Sequence, residues 1–185
     1  MKGEAASDNA AGHDAKIYQA VAREAWRAAG AAGMLRLTVT SDSMRPLLRA
    51  GDGVVVQPLD PHALRPGEVI VAQHGSEWIT HRLVAVDERG WHMQGDNARY
   101  GDEPASAAEI VGRVIAIERG ARTIDLQQAR LHAIGRRINR VQRAQWQMLA
   151  ATRKLGGTHS NGFKRALAAL IDWPFRVMIR LFIRF

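Results

Sequence analysis

Alternation opens the readable part of the chain. Leu35, Leu37 and Val39 are apolar, with Arg36, Thr38 and Thr40 polar between them, which is the period of a strand with one buried face. Further strand-like segments follow at residues 53–57, 69–72, 78–86, 91–94 and 110–117. The breaks between them hold Gly51-Asp52, Pro66-Gly67, Asp87-Glu88-Arg89-Gly90 and Gly95-Asp96-Asn97, each with turn-forming residues. Short strands at this spacing predict an open antiparallel barrel or sandwich over residues 34–118.

The period changes on both sides of that block. In residues 16–33, Ile17, Ala20, Val21, Ala25 and Ala28 fall on one helical face, and Gly30 and Gly33 end the segment. Residues 125–155 also read as helical: Leu126, Ala129, Ile134, Ile138, Val141, Trp146 and Leu149 punctuate a run rich in Arg and Gln. The expected fold class is therefore mainly β (α+β), an antiparallel β domain with an N-terminal helix and a C-terminal helical extension. The expected segments are a disordered 1–15, an amphipathic helix at 16–33, a catalytic domain at 34–122, a basic helical region at 123–155, a linker at 156–162 and a basic amphipathic helix at 163–185.

Composition adds limits. The chain has 185 residues, 46% hydrophobic and 24% charged, enough for one packed domain with extensions. It has no cysteine, which excludes disulfides, thiolate nucleophiles and cysteine-based zinc sites. No metal or cofactor site is expected.

Charge divides the chain. Residues 130–185 hold twelve Lys or Arg against the single acid Asp172, a net +11, while residues 1–129 carry a net −3 of the overall +8. The basic part suits an anionic partner. Its last segment repeats Arg176, Arg180 and Arg184 every fourth position among apolar residues, with Trp173, Phe175, Phe182 and Phe185 as interfacial aromatics. This pattern predicts peripheral membrane association through residues 163–185. Packing against the domain ranks second. Nucleic acid ranks third, because no base-reading motif accompanies the charge. The start of the sequence is polar and no apolar run is long enough to span a bilayer, so the expected location is a membrane surface on its cytoplasmic side, without a signal peptide.

The candidate chemistry lies in Ser41-Asp42-Ser43-Met44-Arg45-Pro46, directly after the first strand. A serine hydroxyl attacks only when a base takes its proton. The lysines are Lys2, Lys16, Lys154 and Lys164, all outside the strand-rich block, so a histidine must act. His81, inside the longest strand, is the best placed; His62, His74 and His92 read as surface or loop residues. An acid must then hold the second imidazole nitrogen, and Asp96 and Asp102 are both candidates. The Ser43 backbone N–H and the Ser41 hydroxyl are candidate oxyanion donors, and Met44 a candidate apolar wall for substrate.

Five segments in this order resemble type I signal peptidases, in particular the archaeal and endoplasmic-reticulum kind that use histidine. They are Ser41 to Pro46, Gly51-Asp52-Gly53-Val54-Val55-Val56, His81-Arg82-Leu83-Val84, Gly95-Asp96-Asn97 with Asp102, and Ile110-Val111-Gly112-Arg113-Val114. The resemblance covers residues 35–118. It implies a serine endopeptidase on a mostly β fold shared with LexA-type self-cleaving repressors, with Ser43 as nucleophile, His81 as general base and Asp102 or Asp96 as its acidic partner. It also implies cleavage of a leader from a peptide or preprotein after small residues. The competing expectations are a peptidase-like binding module without turnover and a LexA-like regulator.

Overall fold

The computed structural model describes residues 33–75, 77–155, 174, 177–179 and 181. The expected segments at 1–15 and 156–162 lie outside the described residues, as do all but the last residue of 16–33 and most of 163–185.

Seven strands form one antiparallel sheet. They are β1 (Leu35–Thr38), β2 (Gly53–Gln57), β3 (Val69–His74), β4 (Glu77–Asp87), β5 (Gly90–Gln94), β6 (Ile110–Arg119) and β7 (Arg122–Asp125). Their order is β1-β2-β6-β3-β4-β5, and β7 pairs with β6. The mainly β reading of the sequence holds. The sequence reading missed β7, a four-residue strand with only Ile124 half-buried among exposed neighbours, too short and polar to show a period.

Alternation along the central strands separates two cores. Val69 and Val71 of β3 face a cluster with Val54, Val56, Val111, Val114 and Ile117. Ile70 and Ala72 face another with Leu83, Trp91, Met93 and Ile110. The period of two sends neighbours to opposite faces, so a strand that is apolar throughout is buried on both. The helix α1 (Ala129–Leu155) covers the first face, with Ile138 fully buried and Ile134 and Val141 packed beside it. Asp125, expected at the start of this helix, ends β7, and residues 126–128, also expected within it, form the turn that precedes it.

Register shifts bend the sheet where the site is built. One lies in β4 between Leu83 and Ala85, opposite β5. Below it Arg82 pairs with Gln94, so the chain leaving β5 runs past His81. A bulge of this kind turns a strand and re-aims the side chains beside it.

Candidate active site

The Ser43 loop hangs from the first core. Met44, Leu47 and Leu48 are all buried in or beside it, which fixes the backbone on the C-terminal side of Ser43. Its far end is tied down by Arg119, which donates from Nε to Asp52 Oδ1 at 2.9 Å, from Nη2 to Asp52 Oδ2 at 2.6 Å and from Nη2 to the Leu47 carbonyl at 2.8 Å. The Arg119 hydrogen bonds hold the Asp52 carboxyl below its ordinary value of 3.8, against the opposing effect of burial. The same contact raises Arg119.

His81 reaches this loop from β4. Its Nε2 lies 2.8 Å from Ser43 Oγ, and its Nδ1 lies 2.5 Å from Asp102 Oδ2. With the imidazole neutral, the network assigns the proton to Nδ1, donated to Asp102, which leaves Nε2 to accept from the Ser43 hydroxyl. Ser41 Oγ stands 3.1 Å from Ser43 Oγ. His81 is 9% exposed, so the ring is sheltered while Ser43 and Asp102 remain half-exposed.

The two candidate acids part company. Asp102 lies against His81. Asp96 is only 2% exposed and its carboxylate accepts from Arg82 Nε at 2.8 Å and Arg82 Nη2 at 2.6 Å. Of the two acids left open for His81, Asp102 contacts the ring and Asp96 pairs with Arg82 instead. His81 and Arg82 are successive on a strand and point to opposite faces, so each takes a different carboxylate. Arg82 also donates to the Gly67 carbonyl at 2.7 Å.

The tight turn at Gly95 does a different job from aiming a carboxylate. A Cβ on Gly95 would stand 2.6 Å from the Ser43 carbonyl oxygen and 3.0 Å from His81 Nε2. Asn97 N–H donates to that same carbonyl at 2.8 Å. The loop 94–102 thus seats Ser43 by its backbone, and Asp102 returns to β5 by donating its N–H to Met93 O at 2.9 Å. Sequence reasoning took these residues as a carrier of acids. The signal it missed was glycine at a point of close backbone approach.

The reading of His92 as a surface residue is corrected. It is 7% exposed in β5, its Nε2 lies 2.7 Å from Asp87 Oδ1, and its ring meets Trp146 edge-on. The hydrogen bond with His92 is the main cause that draws the Asp87 carboxyl down to about 2. His74 is exposed at the end of β3 and His62 is exposed in a short turn against Trp91, as expected.

A groove of about 590 Å³ leads to the site. One wall is residues 37–41 and the other residues 77–81, with Ser43 and Met44 at the floor. Met44 is 1% exposed, and its sulfur accepts from Asp96 N–H at 3.4 Å. Among the described residues no cluster of metal-ligating side chains occurs and no helix is long and apolar enough to cross a membrane.

A family model described as Peptidase S24-like matches residues 5–115, more than half of the chain. No curated protein matches it.

Proposed function

The chain belongs to the Peptidase S24-like family, and from that premise we propose that it is a serine endopeptidase of signal-peptidase type, cleaving a leader from a peptide or preprotein after small residues. The observation that carries the reading is the chain of contacts Ser43 Oγ–His81 Nε2 at 2.8 Å and His81 Nδ1–Asp102 Oδ2 at 2.5 Å. Ser43 Oγ attacks the scissile carbonyl carbon while its proton passes to His81 Nε2. Asp102 holds the Nδ1–H and stabilises the imidazolium. The Ser43 N–H and the Ser41 hydroxyl receive the oxyanion. Collapse breaks the C–N bond, His81 returns the proton to the leaving amine, and water then releases the acyl group by the same base.

The groove supports an extended substrate. β1 ends the sheet, and residues 77–81 of β4 lie before the point where β5 begins to pair. Both free edges border the groove, so a peptide can pair by its backbone, which leaves alternate side chains to be read by pockets. Leu37, Val39 and Ile79 make those walls apolar.

Ser43→Ala and His81→Ala test the reading with leader peptides carrying small residues before the cut. Both variants lose cleavage, by a general-base factor of about 10²–10⁴ or more. Undiminished cleavage by Ser43→Ala sinks the mechanism. The family match also favours a second reading, a LexA-like regulator that cuts a segment of its own chain. That reading takes over if the protein cuts itself at a rate independent of its concentration and cuts no added peptide.

A further inference from the structure

The helix α1 lies beyond the residues that the family model matches, yet its inner face ends on the loop that carries the site. We infer that Gln142, Gln145 and Trp146 are positioning residues, holding the 94–102 loop and through it Asp102 and the seat of Ser43. The inference rests on the peptidase reading for its kinetic part.

The loop is anchored at its two ends by β5, and within it Ala98 N–H donates to Gly95 O at 3.0 Å. The helix adds side-chain contacts to it. Trp146 Nε1 donates to Gln94 Oε1, while Gln94 Nε2 donates to Ala98 O at 2.9 Å. Gln145 Oε1 lies 3.4 Å from Gln94 Nε2, and Gln145 Nε2 lies 3.5 Å from Arg99 O. Gln142 Nε2 lies 3.5 Å from Gly95 O. The Trp146 ring covers Gly101, where an added Cβ would stand 2.7 Å from Cζ2, one residue before Asp102.

Burial gives these contacts their meaning. Gln94 is 1% exposed, Gln142 0% and Gln145 2%. A helix that only covered a sheet would use apolar residues here, as α1 does at Ile134 and Ile138. A buried amide is costly unless bonded, and a bonded one admits a single arrangement. Gln142 turns its Nε2 toward the carbonyl of Gly95, the residue against which Ser43 packs.

The experiment uses the full chain with Trp146→Phe, which keeps the ring over Gly101 and removes the donor, and with Gln145→Leu added. The readouts are turnover of a leader peptide, labelling of Ser43 by a fluorophosphonate, and amide hydrogen exchange. The expected result is a kcat roughly tenfold or more lower with KM within about twofold, since small misplacement of reacting groups is costly in rate. Labelling slows in parallel, and exchange speeds up in residues 95–102 while the β3 and β6 amides stay protected. Wild-type turnover and labelling in both variants overturns the inference. If the wild-type chain neither cuts nor labels, the peptidase reading fails, and the exchange result decides the clamp alone: unchanged exchange at 95–102 overturns it.

Discussion

The Ser43 carbonyl oxygen lies where Gly95 has no side chain: a Cβ there would approach it to 2.6 Å. No real Cβ contact is that short, and the atoms opposed are backbone, so relief requires moving the nucleophile loop. Gly95→Ala is therefore expected to cut turnover by about tenfold to a hundredfold, because a displacement of about 1 Å at a reacting group has that effect. The fold should survive, since the added methyl meets backbone of a loop and removes no core side chain. Turnover at the wild-type level, measured beside an unchanged circular dichroism spectrum, contradicts the placement.

Asp96 and Asp102 should fail in different ways. Asp102→Asn leaves His81 without its orienting carboxylate and loses turnover by about 10²-fold or more while the melting temperature stays near wild type. Asp96→Ala strands the buried Arg82 guanidinium. Removal of one partner of a buried pair costs about 3–5 kcal/mol, so this variant should unfold at lower denaturant. Equal loss of stability in the two variants would remove the division of labour.

Much of this was legible in the sequence because strands leave a period. Leu35 to Val39 alternates, and the runs at 54–56 and 69–72 are apolar throughout because both their faces are covered. A histidine base was favoured by elimination, since no lysine lies in the domain, while Ser43 was singled out by the Ser-Met-Arg-Pro stretch after the first strand and by the resemblance. The split between Asp96 and Asp102 was not, because two acids six residues apart look alike until the strand parity of His81 and Arg82 is set in three dimensions. The inward turn of Gln142, Gln145 and Trp146 was also hidden. Their polar character reads as solvent-facing when the loop they serve is out of view.

Acid should weaken the anchor of the Ser43 loop. The Arg119 hydrogen bonds lower the folded Asp52 value from 3.8. A depressed folded value means the contribution is fully present above 3.8 and is lost as pH falls through the lower folded value. Asp87, drawn down to about 2, acts in the same direction. Stability should therefore decline on acidification below about pH 4, and Asp52→Asn should flatten that decline. Chemical denaturation at pH 7 and pH 3 checks it; an identical difference in both proteins rules the anchor out as the cause.

We propose that the C-terminal segment meets an anionic membrane surface. Ile179 is 3% exposed and belongs to the first core, while Val177, Met178 and Leu181 are 36%, 37% and 53% exposed. With the exposed Pro174, these fall at helical i, i+3, i+4 and i+7, opposite Ile179. Ile179 thus docks on the domain, while Pro174, Val177, Met178 and Leu181 offer an apolar stripe. On α1, Arg136, Arg140 and Arg143 are exposed at i, i+4 and i+7, in a region carrying a net +11. An apolar stripe in so basic a part of the sequence suits an interface of anionic lipid better than a nucleic acid. The full chain should co-sediment with phosphatidylglycerol vesicles and less with neutral ones, and salt should weaken the binding. Met178→Asp with Leu181→Asp should release it while leaving Ile179 in its seat and the melting temperature near wild type. Full-length protein that stays in the supernatant with anionic vesicles, or a double variant that sediments as well as the parent, ends the proposal.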